Sequence, residues 1–274
     1  MARRYGVAFG KRHQALVALL ARRSRVGTLV HAPGSGSRGV AGLPVGCFAM
    51  TRSDEAVLFD LHDTLVHLVP STEEAMATAT GAPVEDYRSA WRSIDERIEK
   101  GEWAPASEDR WTELYAPMVD SLGLSFSPAE VSARLGELFR SLDAYAAFAD
   151  SAPALRTLAG AGCRLAVLSN SDFPLEPILD WCGIGEFIET AIPAVSHGTT
   201  KPHPEAFLLC TEALHVRTED CWFVGDRLVD DATASAALGM KAVLVDRAAR
   251  HSGERLAFPR IADLSLLPEI ILGS

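Results

Sequence analysis

The chain has 274 residues, 48% of them hydrophobic and 23% charged, with a mean hydropathy of +0.10. That balance supplies apolar surface for a sizeable core and excludes disorder along the whole length. No apolar run approaches the roughly 18 residues that a membrane-spanning helix requires, so no membrane partner is expected.

Five cysteines (positions 47, 163, 182, 210 and 221) form no CxxC pair and are odd in number. They predict a reducing, cytoplasmic setting rather than a disulfide framework or a structural zinc site. The net charge of −10 is unevenly spread. Residues 1–50 hold eight of the 26 basic residues and none of the 36 acidic ones, which leaves 18 basic against 36 acidic in the rest. A body with a net charge of −18 repels polyanions, and nucleic-acid binding is not expected. The leader itself reads as a disordered extension ahead of a body that begins near Met50. Its Arg-rich, acid-free stretch at 11–25 also leaves an organellar presequence open.

Within this leader, Gly34, Gly36 and Gly39 match GxGxxG, with Asp54 twenty residues beyond the first. A dinucleotide site needs a helix directly after the glycines. Here Gly42, Pro44 and Gly46 follow, so the match is read as coincidence in a Gly/Ser-rich linker.

From residue 56 strands and helices alternate. Apolar runs at 56–59, 164–168, 221–224 and 241–245 end respectively at Asp60, Ser169, Gly225-Asp226 and Asp246. A weaker strand is expected at 190–193. Short continuous apolar runs suit strands buried on both faces of a parallel sheet. Helices are expected between them: one N-capped by Ser151 and closed by Gly160 and Gly162, one from Pro202 and Pro204, and one at 228–238 ending at Gly239. The fold class is therefore α/β, a doubly wound, mostly parallel, Rossmann-like sheet, whose chemistry gathers outside the strands' carboxyl ends.

Asp60 and Ser169 are too far apart for one βαβ unit, and the surplus is helical. Val84, Tyr87, Trp91, Ile94 and Ile98 form one stripe, and Trp111, Leu114, Tyr115, Met118 and Leu122 another. A third helix opens on the capping box Ser127-Pro128-Ala129-Glu130. The organisation that follows is a core of 51–69 and 149–274 with an all-helical cap at 70–148.

Four polar clusters then share one sheet edge: Asp60 to Leu65, Ser169-Asn170, Lys201, and Gly225-Asp226 with Asp230-Asp231. Converging carboxylates need a divalent cation between them, and oxygen-only ligation favours Mg2+. An ammonium and a hydroxyl opposite it would hold phosphate oxygens, so that a carboxylate could attack and form an aspartyl-phosphate.

These segments, with the run from Lys201 to Phe207, resemble in order and spacing the haloacid dehalogenase superfamily over roughly residues 55–270. The resemblance implies a Rossmann-like core with a helical cap inserted after the first strand. It implies Asp60 as nucleophile, and Ser169, Asn170 and Lys201 as the phosphoryl-binding set. It further implies Mg2+ held by Asp60, Asp226, Asp231 and the backbone carbonyl of His62. The activity implied is a Mg2+-dependent phosphomonoesterase acting on a small phosphorylated metabolite, as a monomer or homodimer.

One position departs from the family's phosphatases: their second Asp, two residues after the nucleophile, is His62 here. An imidazole can exchange protons near neutral pH. Carboxylates would raise its pKa and Mg2+ would lower it, so the direction stays open in the sequence. Asp63 is expected to point elsewhere. The superfamily's dehalogenases also lack the second Asp, but they need no Mg2+, whereas Gly225-Asp226 is retained here. Phosphonate hydrolysis would require a cap lysine, for which Lys100 is the candidate. A non-catalytic binding protein of the same fold is the third alternative. Trp103, Arg92, Arg97 and Lys100 are further residues that could reach a substrate.

Overall fold

The computed structural model describes residues 55–80, 82–99 and 110–273; the basic leader, its GxGxxG segment, Lys100 and Trp103 lie outside them. Six parallel strands form the main sheet: β1 Ala56–Phe59, β4 Arg164–Ser169, β5 Thr190–Pro193, β6 Cys221–Gly225, β7 Lys241–Val245 and β8 Arg260–Ile261. Their order is β5-β4-β1-β6-β7-β8. Winding thus proceeds outward from β1 first to one side and then to the other, which opens a crevice at the carboxyl ends of β4, β1 and β6.

Alternation along the strands builds two cores. Val57, Phe59, Leu165, Val167, Trp222 and Val224 meet the helices Ser151–Gly160, Glu176–Trp181 and Leu267–Leu272 through Leu155, Ile178 and Ile271. Ala56, Leu58, Ala166, Leu168 and Phe223 meet the helix Pro204–Leu214 through Phe207, Cys210 and Leu214. Burial on both faces is why these strands read as unbroken apolar runs.

Ser151 is not an N-cap. It is the first residue of its helix, and its hydroxyl donates to the Leu65 carbonyl at 2.7 Å. Asp150 holds the cap position but turns its carboxylate to the Leu264 amide and to Arg247. The helix expected at 228–238 is also different. It opens as a wide turn, Leu228–Thr233, in which the Ala232 amide reaches back to the Arg227 carbonyl at 3.1 Å, and only Ala234–Ala237 is α-helical.

Between β1 and β4 lie the helices Thr72–Thr80, Val84–Glu99, Arg110–Leu122 and Pro128–Phe139. They enclose a core of their own around Met76, Tyr87, Ile94, Leu114, Met118, Val131 and Leu135. The capping box is present: Ser127 Oγ accepts from the Glu130 amide, and Glu130 returns the bond to the Ser127 amide at 2.8 Å. The chain enters and leaves this layer through an antiparallel pair, β2 Val66–Leu68 and β3 Tyr145–Ala147. None of the described helices is long and apolar enough to cross a membrane.

Candidate active site

β1 ends at Asp60, whose amide donates to the Val224 carbonyl of β6 at 2.9 Å. This bond holds the Asp60 carboxylate at the crevice. β4 ends at Ser169 and β6 at Gly225, followed by Asp226. The wide turn after β6 then aims Asp231 back under the sheet edge. An added Cβ at Gly225 would sit 2.6 Å from the Asp231 Cβ, so only glycine lets Asp231 pass.

Lys201 bridges the cluster. Its Nζ donates to Asp60 Oδ1 and to Asp231 Oδ1, both at 2.6 Å, with all three residues buried. Burial works against its charge, but the charges of Asp231 and Asp60 outweigh that cost and raise its pKa. Asn170 closes an amide clamp on the Lys201 backbone, accepting from its N–H at 2.7 Å and donating to its carbonyl at 3.0 Å. Its side chain therefore positions Lys201. Ser169 Oγ is paired with Ser171 Oγ at 2.8 Å.

Asp60, Asp226 and Asp231 each offer an oxygen to one point, all within 4.8 Å of one another. Burial and the neighbouring Asp231, against the pull of Lys201, raise the Asp60 carboxyl to about 6. Asp226 is raised well above the usual range by burial and, against Arg227, by Asp63, Asp60 and Asp231. Its Oδ2 also accepts from Arg250 at 3.2 Å. Asp63 was expected to point elsewhere, yet it borders the cavity and adds to the charge that Asp226 feels. Its left-handed backbone (φ 58°) makes the tight turn between β1 and β2, which keeps this short side chain at the crevice rim.

The His62 ring packs edge-on against Phe139 (centroids 5.5 Å apart), and its Nε2 lies 3.0 Å from the Tyr145 hydroxyl. That hydroxyl donates its proton to the Phe139 carbonyl at 2.9 Å, so it accepts from Nε2–H. Nδ1 is left as a lone pair facing Ser169 Oγ, 3.5 Å away. Desolvation and the Lys201 ammonium lower the imidazole pKa to about 4. Tyr145 lies 83 residues from His62, and no sequence signal joins them.

The crevice opens into a cavity of about 700 Å³ between the sheet edge and the helical layer. Its walls include Trp91, Ile94, Trp111, Leu114, Tyr115 and Phe139. Tyr115 is near-parallel to both Trp91 and Trp111, at centroid distances of 6.0 and 6.1 Å. Arg140 also borders the cavity, but its Nη2 donates to both Asp172 oxygens at 2.9 Å and its Nη1 to the Gly136 carbonyl at 3.0 Å. Arg92 and Arg97 do not border it.

Comparison with known proteins identifies the family and the fold. The sequence profile of the haloacid dehalogenase-like hydrolases matches residues 55–239. The plasmid-borne phosphoglycolate phosphatase of Cupriavidus necator is 30% identical over 192 residues, 66% of this chain and 77% of that protein. The glyceraldehyde 3-phosphate phosphatase of Pyrococcus furiosus is 28% identical over 210 residues, 70% of this chain and 80% of that protein. Among solved structures, the L-2-haloacid dehalogenase of Xanthobacter autotrophicus has a TM-score of 0.59 at 22% identity, covering 80% of this chain and 98% of its own. The magnesium-bound hydrolase YfnB of Bacillus subtilis has a TM-score of 0.63 at 16% identity, covering 80% and 99%. At such identities the structural likeness speaks for the fold alone.

Proposed function

We propose that this chain, which belongs to the haloacid dehalogenase-like hydrolases, is a Mg2+-dependent phosphomonoesterase with Asp60 as nucleophile. The observation that carries this reading is the buried set of Asp60, Asp226 and Asp231, at the carboxyl ends of the adjacent strands β1 and β6, around Lys201 from the loop after β5. The donor set suits the metal, because it is all oxygen and because burial, with the negative charge of Asp63, Asp60 and Asp231, raises the Asp226 carboxyl, a load that a cation would relieve. Asp60, Asp226 and Asp231, with the His62 carbonyl, would hold the ion. Bound there, Mg2+ would neutralise phosphoryl oxygens and the carboxylates together.

The rest falls to the chain's own groups. Lys201 and the Ser169 hydroxyl orient the phosphoryl group, and Asn170 fixes Lys201. One Asp60 oxygen attacks phosphorus as the ester P–O bond breaks, and the leaving alkoxide takes its proton from solvent water. Water then attacks the phosphorus of the aspartyl-phosphate, releasing phosphate and restoring Asp60. The Nδ1 lone pair of His62 is placed to take a proton from that water. Its Nε2–H is already spent on Tyr145, so the geometry favours a base over an acid. The helices between 72 and 139 would act as the cap, with β2 and β3 as its two connectors. The phosphatases among the relatives support the same reaction class.

The test is release of phosphate from a panel of monoesters, with a haloacid as control, each in Mg2+ and in EDTA. Mg2+-dependent turnover that disappears in Asp60→Asn is expected. Undiminished hydrolysis in EDTA would remove this reading, and halide release would install the dehalogenase instead.

A further inference from the structure

The cavity has two unlike ends. Its floor is the cluster of Asp60, Ser169, Lys201 and Asp226, while its far wall is Trp91, Ile94, Trp111, Leu114, Tyr115 and Phe139. Resting on the phosphatase reading, we propose that the substrate's leaving group is a flat, uncharged aromatic body that lies against this far wall.

Volume is the first reason. About 700 Å³ lies well inside the roughly 300–1,000 Å³ range of drug-sized ligand sites. A two- or three-carbon phosphate would leave most of it to water against apolar rings.

Charge is the second. Among the described residues that border the cavity, the Lys and Arg side chains are Lys201, Arg140 and Arg227. Lys201 is committed to Asp60 and Asp231, Arg140 to both oxygens of Asp172, and Arg227 lies 3.7 Å from Asp226. A second anionic group, such as a carboxylate beside the phosphoryl group, would have to compete with these carboxylates for a cation and would also meet Glu73.

Shape is the third. Tyr115 lies within 25° of the Trp91 plane and 18° of the Trp111 plane, so the wall is a set of near-parallel rings. Such rings favour a ligand ring, offset-stacked or edge-on, over an aliphatic chain of equal area.

The test separates binding from chemistry by using non-hydrolysable phosphonates on the full chain in Mg2+, read by calorimetry. Benzylphosphonate is expected to bind on the order of tenfold more tightly than ethylphosphonate, and phosphonoacetate more weakly than either. Trp111→Ala should abolish the benzyl preference while leaving ethylphosphonate affinity unchanged. If that variant loses its cooperative melt, Trp111→Leu carries the same comparison. Equal affinities, a preference for phosphonoacetate, or equal losses for both ligands in the Trp111 variant would overturn the proposal. In parallel, 2-phenylethyl phosphate and ethyl phosphate share an alkyl leaving oxygen, and only the former should turn over well. Benzyl-selective binding with no ester hydrolysed would sink the phosphatase reading and leave the aromatic site standing.

Discussion

Asp60 faces two demands, to remain ionised enough to attack and to survive burial beside two other carboxylates. Lys201 reconciles them by donating to Asp60 and Asp231 at once. Asp60→Asn keeps the shape but removes the nucleophile, and phosphate release should fall to background with an unchanged circular dichroism spectrum. His62 has a narrower role. With its pKa near 4, the imidazole is neutral across the neutral range, so its base function should not switch on around pH 7. His62→Ala should lower kcat by roughly 10²–10⁴ without altering the slope of the pH profile between about pH 6.5 and about pH 8. A kcat equal to that of the parent would make His62 a packing residue under Phe139. Tyr145→Phe removes the acceptor that fixes the ring, and a smaller kcat loss of the same pH-independent kind is expected.

At the scale of elements, β6 and the wide turn after it act as one device. Asp231 reaches Lys201 only because Gly225 has no side chain in its path. Gly225→Ala should therefore cost about 1–3 kcal/mol of stability and most of the activity, measured by urea melts and by phosphate release. Ser151→Ala should cost about 1 kcal/mol and little activity, since the Leu65 carbonyl keeps its bond from the Phe148 amide. How legible each element was follows from its physics. The runs at 56–59 and 241–245 fall where β1 and β7 lie, because double-sided burial writes itself into composition, while 190–193, the half-buried edge strand β5, gave the weaker signal. β2 and β3 are three residues each, Val-His-Leu and Tyr-Ala-Ala, too short to carry a period. In the helix Thr72–Thr80, with sequence TEEAMATAT, the buried apolar side chains among those described are Met76 and Ala77, and the sequence shows no stripe. Strand-end positions brought Asp60, Ser169, Asn170 and Asp226 into view, and the family resemblance added Lys201 and Asp231, which lie in the loops after β5 and β6. The Tyr145 bond to His62 and the Arg140–Asp172 pair are products of tertiary packing alone.

The molecule as a whole places an acidic cluster at the switch point of a sheet buried on both faces, and stability should register that load. A carboxyl whose folded pKa exceeds its unfolded value near 3.9 stabilises the fold below that value, and the contribution is lost as pH rises through the folded pKa. Asp60, at about 6, and Asp226, raised well above its ordinary range, both belong to this class. His62 has the opposite sign. Its pKa is depressed from 6.5 to about 4, so its contribution is complete above about 6.5 and is lost as pH falls through about 4. Between those limits Asp60 and His62 oppose each other, and Asp226 tips the slope downward with rising pH. A cation bound among the carboxylates competes with their protons, so its stabilising effect should grow as pH rises. The expected result is a larger rise in Tm on adding millimolar Mg2+ at about pH 7.5 than at about pH 5.5, and no rise at either pH in Asp226→Asn. A rise equal at both pH values, or one that persists in Asp226→Asn, would mean that the ion binds somewhere other than this cluster.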